Sequence, residues 1–225
     1  VPLWFKPSPV PFAPHAPSWR QPLFLHYQPL RRALEPAARA LRGAVLDVGC
    51  GMQPYRAWMD PSVRYTGLDR EGPRSRPDVI GTADALPFDR DTFDAVLSTQ
   101  VLEHVPDPAL ALRECARVTR PGGSVLLTVP GVWSAHEVPF DYWRFTRHGV
   151  ERLLTDAGYT DISIEPAGGL WASVGQMAVL ELERGALSRE LIPLVNACAG
   201  WLDRRGAREE LALAWVATGR RGRAP

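Results

Sequence analysis

The reading of this chain turns on Val45-Leu46-Asp47-Val48-Gly49-Cys50-Gly51, with Ala44 before it and Met52-Gln53-Pro54 after it. Ala44 to Val48 are mostly small or β-branched residues suited to a buried strand, interrupted by one charge, Asp47. The Gly-x-Gly that follows lets the backbone turn sharply and approach a ligand that a Cβ would hold away. Pro54 fits the first turn of a helix, where its missing N–H costs nothing. Strand, glycine turn and helix start together open a nucleotide-binding βαβ unit. The next apolar run, Val63 to Asp69, ends on an acid about 20 residues further on, where such folds hold a ribose.

Composition sets the outer limits. A chain of 225 residues fits one domain with a sizeable core, and 45% hydrophobic with 23% charged residues are ordinary globular values. A net charge of +1 gives no electrostatic reason to expect a nucleic-acid partner. Cys50, Cys115 and Cys198 have neither metal-ligand nor disulfide spacing, so no metal is expected and a reducing, cytoplasmic setting is. No apolar run reaches the roughly 20 residues that span a bilayer, and the N-terminal stretch lacks a charged-then-apolar signal pattern.

Seven prolines within residues 1–22 forbid helix and central strand, so this stretch reads as an extended N-terminal arm ahead of a single domain at 23–225. Leu30, Leu34, Ala37, Ala38 and Leu41 recur at helical spacing, with Pro36 expected to kink or break the helix. After a short helix at 54–59, strands are expected at 64–68, 79–80, 93–98 and 124–129. Asp107-Pro108 caps a helix that runs to about Val118, and Pro121-Gly122-Gly123 reads as a tight turn. Thr146 caps the next helix, whose apolar face is Val150, Leu153, Leu154 and Ala157 and whose stop is Gly158. A strand at 159–165, a helical insertion at about 171–203 broken near Gly185 and Pro193, and a last strand at 211–218 complete the chain. Strands alternating with helices predict an α/β, doubly wound, mostly parallel sheet with helices on both faces.

Four ordered segments carry a resemblance: Val45–Gly51, Thr66–Asp69, Asp84-Ala85-Leu86-Pro87-Phe88, and Phe93–Pro106 with Arg117–Val129. In this order they resemble the class I S-adenosylmethionine-dependent methyltransferases, and within them the type 11 methyltransferase domain. The resemblance implies a Rossmann-like, seven-stranded sheet whose last strand is antiparallel, and S-adenosyl-L-methionine as cofactor with S-adenosyl-L-homocysteine as product. It implies that Gly49, Cys50 and Gly51 pack against the methionine half of the cofactor, with Asp47 facing its ammonium group. Asp69, with Arg70 beside it, would accept the ribose hydroxyls. Asp84, Ala85 and Leu86 would hold the adenine, with Phe88 near the ring. Ser98 to Gln100 would stand beside the sulfonium. Where a third glycine is common after Gly51, Met52-Gln53-Pro54 stands instead, which argues against a nicotinamide site.

Beyond the fifth strand, residues 132–146 crowd aromatics, a histidine, acids and an arginine into one loop at the ligand edge of the sheet. The plainer reading is a packed cover over the sheet end. The functional one is a substrate wall in which Trp133, Glu137, Asp141, Tyr142 and Arg144 bind the acceptor. His136 would then be the general base, with a neighbouring carboxylate orienting it and His104 the competing candidate. The reaction so expected is methyl transfer to a small-molecule acceptor, most simply O-methylation of a hydroxyl. A lipid-linked glycan or quinone precursor at the membrane surface and a nicotinamide-dependent oxidoreductase remain as alternatives. Leu191 to Val195 stays open as core, homodimer face or membrane contact.

Overall fold

The computed structural model describes residues 17–185, 189–206 and 209–222. The extended arm expected over residues 1–22 therefore falls largely outside the described residues. Seven strands form one sheet: β1 (Ala44–Val48), β2 (Arg64–Asp69), β3 (Val79–Ile80), β4 (Phe93–Thr99), β5 (Thr119–Pro130), β6 (Tyr159–Ala167) and β7 (Ala214–Arg221), in the order β3-β2-β1-β4-β5-β7-β6. Neighbouring strands are parallel from β3 through to β5, whereas β7 runs antiparallel to both β5 and β6. The strand order reverses at β1, which lies between β2 and β4 with Val48 beside both Leu68 and Ser98. The three carboxyl ends are thus level, and such a switch point opens a crevice for a ligand.

Side chains on β1 alternate between two buried clusters. Leu46 and Val48 pack with Leu112, Val150 and Leu154 from α2 (Pro108–Val118) and α3 (Arg147–Asp156). Val45 faces the other way, with Leu30, Leu34 and Ala38 of α1 (Phe24–Ala40), Trp58 and Leu126. Between β6 and β7 lie α4 (Leu170–Arg184) and α5 (Ile192–Arg205), which pack on each other and against α1. Pro193 sits at the start of α5, where proline is tolerated. Within residues 191–195 only Ile192 is fully buried, while Leu191 and Leu194 face outward. Among the described residues no helix is long and apolar enough to cross a membrane.

Both expected caps form: Asp107 accepts from Leu110 N at 2.9 Å, and Thr146 Oγ1 accepts from Gly149 N at 3.1 Å. Four expectations need correction. The helix expected at 54–59 is a 3-10 turn at Arg56–Trp58, with Pro54 ahead of it. Pro36 does not break α1, which runs through both Pro29 and Pro36. The segment around Pro121-Gly122-Gly123 lies inside β5 as a register irregularity against β4. Leu211 belongs to a 3-10 turn, and the last strand begins three residues later at Ala214.

Candidate active site

A cleft of about 580 Å³ opens at the carboxyl ends of β1, β2 and β4. Gly49 and Gly51 form its floor, and both take left-handed φ values, +73° and +51°. Gly49 N donates to Leu68 O at 2.8 Å, and a Cβ at Gly49 would stand 2.3 Å from Val101 Cγ2. That turn therefore accepts only glycine. At Gly51 an added Cβ would meet nothing closer than Arg74 O at 3.9 Å, so it would project into the open cleft.

On the β2 side, Asp69 Oδ2 accepts from Gly51 N at 2.8 Å and Oδ1 from Arg70 N at 2.7 Å. Each oxygen keeps a second lone pair for a ligand. Arg70, Thr82, Ala83 and Asp84 continue this wall. The segment behind Asp84 is pinned to α2: Leu86 N donates to Glu114 Oε2 at 3.0 Å, and Arg117 donates to the carbonyls of Leu86 and Phe88 at 3.0 and 2.8 Å. Gln100, with φ +54°, closes the centre, its Nε2 donating to Thr128 Oγ1 at 3.1 Å.

Several residues assigned to the cofactor lie away from the cleft lining. Asp47 is fully buried beneath the floor, its Oδ2 accepting from the Tyr65 hydroxyl at 2.6 Å, because alternation along β1 turns it away from Leu46 and Val48. Cys50 points its sulfur at Gly67, Ser98 is buried in β4, Leu86 is in the core and Ala85 faces outward. The residues that do meet at the cleft are Gly49, Gly51, Asp69, Arg70, Asp84 and Gln100, joined by His104 and Glu137. They fit S-adenosylmethionine: a glycine floor that a Cβ would fill, an acid with free lone pairs on the β2 side, and a second acid beyond it.

The β4–β5 end of the cleft is built by lacing two loops together. Tyr142 N donates to Glu103 O at 2.8 Å, and Trp143 Nε1 to Val105 O at 2.9 Å. His104 Nδ1 lies 2.9 Å from Phe140 O. The lacing brings His104 and His136 edge to face at a centroid separation of 4.8 Å. His136 Nδ1 lies 3.3 Å from both Asp141 Oδ2 and Ser134 O. Burial, together with the neighbouring His104, lowers the His136 pKa despite Asp141. Burial alone would raise the Asp141 carboxyl, but hydrogen bonds from Arg144 and His136 N hold it at about 2.

Arg144 also donates to the carbonyls of Trp133 and Ser134 at 3.1 and 3.0 Å. Asp141 and Arg144 are thus the internal brace of the loop. Trp133 packs against His26 with ring centroids 4.6 Å apart and Tyr142 is exposed, so of the five residues assigned to the substrate only Glu137 lines the cleft. His26 is buried, which pushes its pKa down to about 4 and keeps it neutral.

Sequence reasoning overlooked the wall formed by Val101, Val105 and Pro106, and the turn at 72–75 opposite it. Nothing local marks those residues as lining. The side chain of Glu103, beside His104, is fully enclosed with neither carboxylate oxygen hydrogen-bonded.

Fold and cleft together define a doubly wound, Rossmann-like α/β domain with a ligand crevice at its switch point. Residues 46–127 match the family model described as a methyltransferase domain. An uncharacterized methyltransferase of Mycobacterium leprae is 33% identical over 164 residues, covering 62% of this chain and 61% of the relative. Another from Mycolicibacterium gilvum is 32% identical over 159 residues, covering 60% and 62%. The chain thus spans about three fifths of the length of these curated relatives. Among solved structures, the [4+2]-cyclase SpnF aligns with a TM-score of 0.59 at 19% identity, covering 92% of this chain and 86% of that one. Phosphoethanolamine N-methyltransferase 2 of Haemonchus contortus, in complex with S-adenosyl-L-methionine, aligns at TM-score 0.56 and 15% identity, covering 88% and 53%. At such identities these two establish the fold alone.

Proposed function

We propose that this protein transfers a methyl group from S-adenosylmethionine to the hydroxyl of a small-molecule acceptor. The observation that carries the reading is a single cleft in which the Gly49–Gly51 floor, Asp69 and Asp84 share walls with His104 and Glu137. Bound there, S-adenosylmethionine supplies a methyl group made electrophilic by a positively charged sulfur. Asp69, held by the Gly51 N–H, seats the ribose, Gly49 and Gly51 face the methionine half, and Asp84, fixed by the clamp on α2, meets the base. On the other side His104 and His136 each turn Nδ1 to an oxygen acceptor, which leaves Nε2 as the lone pair able to handle the proton of an acceptor hydroxyl. Trp143 and Tyr142 close the loop over this end by their bonds to the turn at 103–105.

The nicotinamide alternative loses its footing, because the match over residues 46–127 is to a methyltransferase domain. The lipid-linked acceptor keeps one supporting observation: Trp171, Val174, Leu191, Leu194 and Trp201 of the α4–α5 region are large apolar side chains open to solvent. The assay is incubation of the protein with methyl-labelled cofactor and a cell extract, followed by identification of the labelled product. A labelled methyl ether of low mass supports the reading. Label in lipid extract, with flotation of the protein on liposomes, shifts the acceptor to the membrane surface. Calorimetry showing no binding of S-adenosylhomocysteine overturns the assignment.

A further inference from the structure

The least expected group in the molecule is Glu103. It lies in the 3-10 turn Leu102–His104 just after β4, its side chain is 0% exposed, and neither carboxylate oxygen has a hydrogen-bond partner. A buried carboxylate without donors is unfavourable unless a proton or a cation joins it. The guanidinium whose charge acts on it, that of Arg144, is already spent on both oxygens of Asp141. What Glu103 has beside it is two imidazoles.

One ligand atom each from Glu103, His104 and His136 lies within 4.8 Å of the other two. His104 Nε2 is 3.9 Å from Glu103 Oε1 and also 3.9 Å from Oε2 of the half-exposed Glu137. The tautomers follow from the partners. His104 Nδ1 faces the Phe140 carbonyl, and His136 Nδ1 faces Asp141 and the Ser134 carbonyl, all of them acceptors. Nδ1 must therefore carry the hydrogen in both rings, and each Nε2 presents a lone pair. An imidazole whose outer N–H is fixed by a carbonyl or carboxylate is the arrangement found around bound metals, and here Asp141 is itself fixed by Arg144.

We propose that Glu103, His104 and His136 form a binding site for a divalent transition-metal ion at the acceptor end of the cleft. Two neutral imidazoles and one carboxylate suit Zn²⁺ or Fe²⁺, and leave positions open for an exogenous oxygen ligand. With metal–ligand bonds of about 2.1 Å, tetrahedral ligands stand roughly 3.4 Å apart, so groups within 4.8 Å of one another need to draw in by at most about 1.4 Å. Two of the three sit on adjacent residues of one turn, and the third is on a loop hydrogen-bonded to that turn, so a small closure suffices. Burial pushes the Glu103 carboxyl up to about 8 when no cation is present, and a metal ion relieves the same burial by neutralising it. The site stands on its own geometry and does not rest on the methyl-transfer reading. If both hold, the Nε2 lone pairs are spent on the ion, and an acceptor hydroxyl bound to it would be acidified by coordination in place of an imidazole base.

The test uses the tag-free, chelator-treated full chain and Co²⁺ as the probe, whose visible absorption reports inner-sphere ligation. Equilibrium dialysis with elemental analysis gives stoichiometry, and Zn²⁺ competition confirms a shared site. The expected result is one ion per chain. Glu103→Gln and His136→Gln, each shown to be folded by circular dichroism, should weaken Co²⁺ by at least about 100-fold, more than the 10–100-fold typical of an outer-shell change. His136→Gln lies on a loop and serves if Glu103→Gln fails to fold. His148→Gln, which alters a histidine 87% exposed beside Glu151, should leave binding unchanged. No Co²⁺ uptake by the wild type, or equal uptake by His136→Gln, overturns the proposal.

Discussion

Asp47→Asn tests the electrostatics under the cleft floor. Asp47 is 0% exposed on β1; its Oδ2 accepts from the Tyr65 hydroxyl, and its Oδ1 has no partner. Burial raises its pKa from the ordinary 3.8 to about 7; the Tyr65 hydrogen bond opposes the shift and the charge on Asp69 adds to it. Below about pH 4 the carboxyl is protonated in both the folded and unfolded chains. From there to about pH 7 the unfolded chain ionises while the folded one keeps its proton. The stability that Asp47 contributes is therefore complete below the unfolded pKa and is lost as pH rises to the folded one. Each unit is worth about 1.4 kcal/mol, so some three units amount to on the order of 4 kcal/mol. Asparagine cannot ionise, so the variant lacks this loss. Urea unfolding of both proteins from pH 4 to pH 8 gives the stability difference at each pH. A fixed cost of the substitution, such as an unsatisfied amide N–H, shifts all points equally, and other carboxyls cancel. Expected is a difference that moves in favour of the variant by about 3–4 kcal/mol between pH 4 and pH 8, flat above 8. A difference constant to within about 1 kcal/mol would refute an unsolvated carboxyl at this position.

Three further outcomes follow from the site. Gly49→Ala combines φ +73° with a Cβ 2.3 Å from Val101 Cγ2, so it should destabilise the chain by about 2 kcal/mol or more and erase the thermal shift given by S-adenosylhomocysteine. Asp69→Ala should weaken calorimetric binding of the same ligand by roughly 1.5–3 kcal/mol; unchanged affinity would remove Asp69 from the ribose site. His136→Ala should slow turnover on a hydroxyl acceptor by on the order of 10²–10⁴ with cofactor affinity kept, and full turnover would exclude the residue from proton handling.

What could be read from the sequence was local. The strand-glycine-strand core of Ala44 to Asp69 and the caps Asp107 and Thr146 depend on neighbours a few positions apart, so pattern alone places them. Pro36 does not break the helix because its cost is local and its compensation is not. Proline inside a helix costs about 3 kcal/mol, yet Leu30, Leu34 and Ala38 on either side of it are all buried, each leucine contributing about 1.5–3 kcal/mol. Pro36 itself faces solvent, where water can satisfy the carbonyl it frees. The start of β7 was missed for a similar reason: Leu211 to Ala214 is one apolar run, and only the tertiary hydrogen bond from Leu213 N to Gly168 O shows where the turn ends. At the site, the acids and glycines that meet at the floor were legible by order. The meeting of Glu103, His104 and His136 was not, because it depends on Phe140, Tyr142 and Trp143 bonding across 36 to 39 positions.

The position of β7 has a consequence for biosynthesis. The last strand along the chain is not at the sheet's margin but fills the slot between β5 and β6, pairing with both. While the ribosome is still adding α4 and α5, the backbone groups of Ser124 to Pro130 that face away from β4 have no partner, and β6 has no neighbour to hold it in the sheet. At roughly 5–20 residues per second, that open slot lasts for several seconds in every nascent molecule. A strand from another nascent chain could occupy it, since an unpaired edge is a template for any extended segment. Residues 214–221 therefore act as the closing piece that ends this exposure, and a ribosomal stall shortly before them leaves the chain at its most vulnerable to intermolecular pairing.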